Sequence, residues 1–345
     1  MKSKLMKTGK LTNEQLQTLI LDKLPKLSPT TLVGANIGAD CAWLNLGDKL
    51  LVTSSDPITA GGLESGTLAI HVSSNDIAAC GVKPSGILIV VIAPTYATED
   101  DLTKVVEDAS REASRLGIDI VGGHTEVSDT VNNFVVITTA FGIVDKSHPV
   151  PFGKAKVGDK LIMTKTCGIE GSYIAVKEHS DKLTGKVSDE VLEKVSCYGD
   201  LISVVPEGSV AGSLINKDMT KNDKGFYYGA VNLMHDVTEG GVLGASYEMA
   251  DFSGIGIKVF EDSIPMTAET KEICSALSLN PLRLISSGAL LMASSEADRV
   301  LESLRNNGIE CKVIGEFIEN GYVLVNRDGI EEKLLPPTAD EIYRI

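Results

Sequence analysis

The 345-residue chain carries 32 Lys and Arg against 47 Asp and Glu, a formal charge of −15, with 43% apolar residues. Without a basic cluster it lacks the electrostatic footprint of a nucleic-acid binder, and a polyanionic substrate would need a metal ion as intermediary. The longest apolar run, Ile87 to Ala93, is far below the roughly 20 residues that span a bilayer, so no membrane segment is expected.

The first strand signal is LLVTSS, Leu50 to Ser55. A helix follows from Ser65 to Cys80, with Leu68, Val72, Ala79 and Cys80 on one side, Gly81 as a left-handed stop and Pro84 forbidding continuation. Ile87 to Ala93 reads as a fully buried strand. Thr98 caps a second helix that opens with Glu99, Asp100 and Asp101, keeps Leu102, Val105, Val106, Ala109, Ala113 and Leu116 in phase, and closes at Gly117. Strands at Ile118 to Val121 and Asn133 to Val144 complete a βαβαββ unit.

KSHPVPFGKAKVGDK interrupts this pattern with two prolines and two glycines and places a domain boundary near Pro151, dividing residues 1–151 from 152–345. The second part starts at the strand Leu161 to Thr164 and has helices near Ile169 to His179 and Asp189 to Tyr198. After the polar loop NKDMTKNDKG come strand-like IGIKVF, ALLMAS, CKVIGEF and YVLVN, with a hairpin turn at Asn326 to Gly329. Both halves are therefore α/β. Six dispersed cysteines without a C-x-x-C pair read as reduced thiols, which points to the cytoplasm; the start, MKSKLMKTGKL, runs into polar TNEQ rather than a secretory core. Cys167 in TKTCGIEGS is a candidate nucleophile against the commoner reading of a small buried hydrophobe.

Chemistry-bearing residues gather in a few places. Asp40 lies in IGADCAWL, Asp56 directly after LLVTSS, and Asn75 and Asp76 in SSNDIAACGVKP. A carboxylate on a buried helix side costs several kcal/mol unless paired, hydrogen-bonded or bound to metal; the alternative is a solvated flank with Asn75 as a cap. Converging aspartates suit Mg²⁺ with phosphate and water oxygens better than zinc, for which the five histidines offer no ligand spacing. GGHTE, Gly122 to Glu126, at a strand exit would let backbone N–H groups approach an anion, with His124, Thr125 and Glu126 adding a hydrogen bonder, a hydroxyl and a base or ligand. In VNLMHDVTEGGVLGASYEMA a strand delivers His235 and Asp236, and Gly240-Gly241 open a helix whose N-terminus can take phosphate. GKAKVGDK has Asp159 where a Walker lysine belongs, and no G-x-G-x-x-G follows a strand.

The order GADCA, SSD, SSNDIAACGVKP, GGHTE, HDVTEGG and IPMTAETKEICSALSLNPLRLISSGALLM resembles the AIR synthase-related (PurM-like) superfamily, over nearly the whole chain and most in its HypE-like branch. The resemblance implies a first domain whose sheet joins a second subunit's in a shared barrel, a homodimer, and a larger C-terminal α/β domain. It implies ATP and Mg²⁺ at the dimer interface: Asp40, Asp56 and Asp76 on the metals, with Asn75, Gly122, Gly123, His124, Thr125 and Lys10 lining the nucleotide site. His235, Asp236 and Glu126 are the residues it marks for catalysis, with γ-phosphoryl transfer to an oxygen of a small-molecule or protein acceptor, in hydrogenase maturation or a related path. Such transfer depends on positioning and electrostatics.

Three positions depart from that pattern. His124 stands where the kinase and HypE branches have Asp, Glu239 where HypE has Arg, and Tyr343-Arg344-Ile345 where the HypE tail ends in Pro-Arg-Ile-Cys. They keep two other readings open: a nucleotide-binding assembly or sensor subunit without turnover, and a small-molecule kinase like thiamine-monophosphate kinase.

Overall fold

The computed structural model describes residues 11–37, 41–59, 61–148, 153–215, 220–221 and 227–345. The expected boundary at Pro151, with Lys10 and Asp40, lies outside them.

The first half runs α1 (Asn13–Leu19), β1 (Thr31–Val33), β2 (Ala42–Asn45), β3 (Lys49–Ile58), α2 (Ser65–Ala79), β4 (Gly86–Pro94), α3 (Glu99–Leu116), β5 (Asp119–Ser128) and β6 (Val135–Asp145). Its strands form a sheet in the order β1-β2-β3-β6-β4-β5, antiparallel except for the parallel pair β4 and β5. The second half runs β7 (Lys160–Thr164), α4 (Ile169–Glu178), α5 (Ser180–Leu183), α6 (Asp189–Ser196), α7 (Val205–Ile215), β8 (Thr220–Lys221), β9 (Tyr227–Tyr228) and β10 (Val231–Asp236). It continues with α8 (Gly241–Ser253), β11 (Gly256–Phe260), α9 (Ala268–Leu277), β12 (Leu290–Ser294), α10 (Ala297–Asn306), β13 (Cys311–Ile318), β14 (Tyr322–Val325) and β15 (Glu331–Lys333). These build a mixed sheet, β10-β12-β7-β13-β11-β14-β15, while β8 and β9 pair apart from it. The two-sheet α/β architecture is the expected one.

Local signals are obeyed where they are strong. Thr98 Oγ1 accepts from Asp101 N at 3.1 Å while Thr98 N donates to Asp101 Oδ2 at 2.9 Å, a reciprocal capping box, and Gly117 ends α3 at φ 65°.

Helix α2 departs from the one-sided seam expected of it. Its residues are buried all round except Val72, which is half-buried. The cause is tertiary, because three apolar clusters meet on this helix. Leu68 and Ala69 pack with Ile169 and Tyr173 of α4, Ile70 and Ile77 with Trp43 and Val52 of the first sheet, and Ala78 and Ala79 with Val231 and Met234 of β10. The second half of the chain thus covers the side of α2 that the first sheet leaves open.

Small residues make that closeness possible. A Cβ on Gly66 would run into the Val105 carbonyl of α3, and Cβ atoms on Gly208 and Gly212 of α7 would run into the carbonyls of Ala78 and Gly81. A methyl group there cannot be absorbed by a flexible neighbour. Gly208→Ala is expected to lower stability by about 1–3 kcal/mol, the usual cost of overpacking. Gly244→Ala in α8, whose Cβ would meet Pro337 at an ordinary 3.5 Å, should be neutral or stabilising by up to about 1 kcal/mol. Urea unfolding of both variants measures the contrast.

Candidate functional site

Strand alternation puts Ser54 and Asp56 on the face of β3 that α2 covers, and the last turn of α2 brings Asp76 down onto them. Ser54 Oγ donates to Asp76 Oδ2 at 2.6 Å and stands 3.5 Å from Asp56 Oδ2, so the two carboxylate oxygens lie within about 6 Å of each other. The single hydroxyl proton goes to Asp76, which is 9% exposed; Asp56 is half-buried at the mouth. Hard oxygen donors on opposite walls fit Mg²⁺, with phosphate and water oxygens completing its shell at about 2.0–2.1 Å. Among the described residues no three His, Cys, Asp or Glu side chains form a complete metal cluster. The pair is an open set of ligands, not a closed cage.

Asn75, the neighbour of Asp76, turns the other way. It is fully buried, its Nδ2 donates to Ile202 O at 2.8 Å and its Oδ1 accepts from Val204 N at 2.8 Å. Both ends of the amide are spent on one segment of the second half.

The structure corrects the placement of Gly122–Glu126. The strand expected to stop at Val121 runs on to Ser128, so GGHTE sits inside β5, against Leu88 to Ile92 of β4. Gly123 allows this, since any Cβ there would collide with the Ile89 carbonyl. A bulge shifts the register between Ile87 and Leu88, whose partners are Ile120 and Gly122. Asp56, Thr138, Ile89 and Gly123 form one cross-strand row, three strand steps or about 14 Å long. Gly123 and Thr125 share the helix-covered face with buried Val91, whereas His124 and Glu126, 3.4 Å apart, share the opposite face with Val90 and Ile92. Within one chain GGHTE therefore does not join the carboxylate pair.

At the end of β10, His235 Nε2 stands 3.2 Å from Glu248 Oε2 and Nδ1 stands 3.9 Å from Asp236 Oδ1, with Asp236 almost wholly buried. At the glycine-led helix start behind them, protein acceptors already meet several N–H groups: Gly241 N donates to Thr238 O at 3.1 Å and Leu243 N to Leu282 O at 3.2 Å. Gly240 N donates to Asp340 Oδ2 at 2.7 Å, so the chain's own carboxylate caps α8, and the same group accepts from Ile285 N at 3.2 Å and Ile342 N at 2.8 Å. Beside it, Glu170 is buried, and among the described residues one of its carboxylate oxygens has no hydrogen-bond partner. Burial, with the charges of Asp340 and Glu239 adding to it, lifts the Glu170 carboxyl to about 7; burial likewise lifts Asp340 to about 6. Cys167 is fully buried and its thiol is pushed up to about 12, which makes it inert at neutral pH.

The model of the AIR synthase related protein N-terminal domain matches residues 38–144 and that of the C-terminal domain residues 217–326. A putative hydrogenase expression/formation protein of Methanocaldococcus jannaschii is 31% identical over 98% of this chain and 97% of its own length. The chain belongs to the AIR synthase-related family. Among HypE relatives in the family, a carbamoyl dehydratase HypE of Cupriavidus necator is 26% identical over 77% of this chain and 71% of that protein. The fold is that of the hydrogenase maturation protein HypE crystallised with ATP, at a TM-score of 0.65 and 20% identity over 97% of both chains.

Within this AIR synthase-related fold, sequence reasoning missed Ser54, Glu170 and Asp340. Ser54 had a usable signal, its two-residue spacing from Asp56 on a strand. Glu170 and Asp340 are far apart in sequence and had none. Because the folded state holds Glu170 protonated, its stabilising contribution is complete below the unfolded value of 4.5 and is lost as pH rises through about 7. Wild type is expected to lose on the order of 3 kcal/mol of stability from this group between pH 4.5 and 8. In Glu170→Gln that component should vanish, as urea midpoints measured across the range will record.

Proposed function

We propose that this chain is a Mg-ATP-dependent enzyme of the HypE-like type that transfers the γ-phosphoryl group to an amide-type or other oxygen of its substrate. The observation that carries the reading is the convergence of Asp56 and Asp76 on Ser54. Bound there, magnesium would neutralise the phosphate charge. Asp56 and Asp76 would hold the metal, a task the family pattern also gives to Asp40, while Lys10 would reach the phosphate directly. His235 and Asp236 are assigned to the acceptor: the imidazole, held by Glu248, is placed to hold or pass the acceptor's proton.

The site is completed by a second copy of the chain. Strand β5 offers a ten-residue edge that, among the described residues, is paired on one side only, and Val121 and Val127 on it are 55% and 63% exposed. On the face of the same sheet away from α2, Leu88 and Ile143 are 42% and 50% exposed. Long apolar edges of this kind invite strand pairing. Pairing would bring GGHTE of one chain into a shared nucleotide site.

In titration calorimetry, wild type should bind ATP only with Mg²⁺, and Asp76→Asn should weaken binding at least about tenfold; equal affinity for both chains would remove the site assignment. Sedimentation should give a dimer for wild type and a monomer for Val121→Lys/Val127→Lys. A monomeric wild type at micromolar concentration would remove the shared-site reading.

A further inference from the structure

The carboxylate pair and the His235-Asp236 end of β10 are built by different halves of the chain, and one buried segment, residues 202–204, is gripped from both. From the first half, Asn75 holds Ile202 O and Val204 N, each at 2.8 Å. From the second, Lys165 Nζ donates to Ser203 O at 2.6 Å, to Gly288 O at 2.9 Å, and is paired at 2.6 Å with Glu207, a residue only 1% exposed. Consecutive residues of one segment are thus fixed by two side chains from opposite directions.

Lys165 is built for that task. It follows β7 directly in a left-handed conformation, φ 52°, which is uncommon for a residue bearing a side chain. Its own amide is held by Glu310 O at 2.9 Å. Gly288 is packed so tightly on the same segment that a Cβ would run into the Leu201 carbonyl and come within 3.1 Å of Ile202 Cα. From Gly288 the connection continues to the proposed acceptor side, because Val237, next to Asp236, donates its N–H to Ala289 O at 3.0 Å.

We propose that Asn75 and Lys165 are positioning residues that couple the Asp76 end of α2, through segment 202–204, to the Ser286–Gly288 turn beside Asp236. The meaning of that coupling for catalysis rests on the nucleotide reading above: occupancy at Asp56 and Asp76 would be felt where the acceptor binds. Neither residue needs to touch nucleotide or acceptor to do this.

Hydrogen exchange of the full-length chain, followed by mass spectrometry, tests the coupling without any ligand. Asn75→Ala, or Asn75→Ser should the alanine variant not fold, is expected to speed exchange across 284–290 at least about fivefold, the lower end of typical site-to-site coupling, and to leave the distant β11 at 256–260 unchanged. Lys165→Met made together with Glu207→Gln, so that no buried charge is orphaned, should do the same to residues 74–80, and Lys165→Arg should restore wild-type exchange. An unchanged 284–290 in the Asn75 variant, or equal loosening at 256–260, would overturn the proposal. Adding Mg-AMPPCP separates the two readings. In wild type it should slow exchange at 74–80 and at 284–290, and in the Lys165→Met/Glu207→Gln chain at 74–80 only; slowing at 284–290 in that chain would also overturn the coupling. If it slows neither segment in wild type, the nucleotide reading falls and the ligand-free comparison still decides the coupling.

Discussion

Helix α2 carries a carboxamide and a carboxylate into the protein interior, and each is met there by a protein group. Asp76 takes the Ser54 hydroxyl, and Asn75 takes two backbone groups of the other half. An unmet polar group at such depth costs about 1–3 kcal/mol, so the helix can sit there only in the orientation that serves both. That orientation fixes where Asp76 meets Asp56. The site geometry follows from how α2 is buried.

Charge reinforces the same joint. His71 of α2 reaches Glu112 of α3 at 3.2 Å, both almost wholly buried, and this hydrogen bond, with Arg115 and Arg111 beside it, pulls the Glu112 carboxyl down to about 2. Arg115 then crosses to Asp200 at 2.6 Å, and Tyr173 of α4 donates to Glu64 ahead of α2. Arg115 is thus shared between a buried carboxylate of the first half and an exposed one of the second. Such networks are worth more in specifying geometry than in net stability.

What could be read from the sequence is what is local. Thr98, Asp101 and Gly117 announced both ends of α3, and Leu161–Thr164, Asn326–Gly329 and the two-sheet α/β class followed from periodicity and turn chemistry. The motif order led to the family, and Asp56 and Asp76 do meet. Position in space was another matter. Three apolar clusters from distant segments decide that α2 is buried all round, which a seam of Leu68, Val72, Ala79 and Cys80 cannot convey. The paired glycines looked like a strand exit because the close approach of Gly123 to Ile89 is visible only once β4 lies beside it. Gly240-Gly241 looked like a phosphate cradle because Asp340, a hundred residues on, leaves no local trace of its claim on that N–H.

The bulge in β5 sets the parity of everything after it. With Val121 squeezed out of register, His124 and Glu126 lie on the face with Val90 and Ile92. Had Leu88 paired with Val121, His124 would lie beside Val91 and Glu126 beside Ala93, under the helices and against the apolar core. One inserted residue thus separates two different molecules made of nearly the same sequence, one that shows an imidazole and a carboxylate to whatever covers its open face and one that would have to bury them. A single-residue deletion at this point would act as a change of side for the whole GGHTE stretch, with no substitution in it at all.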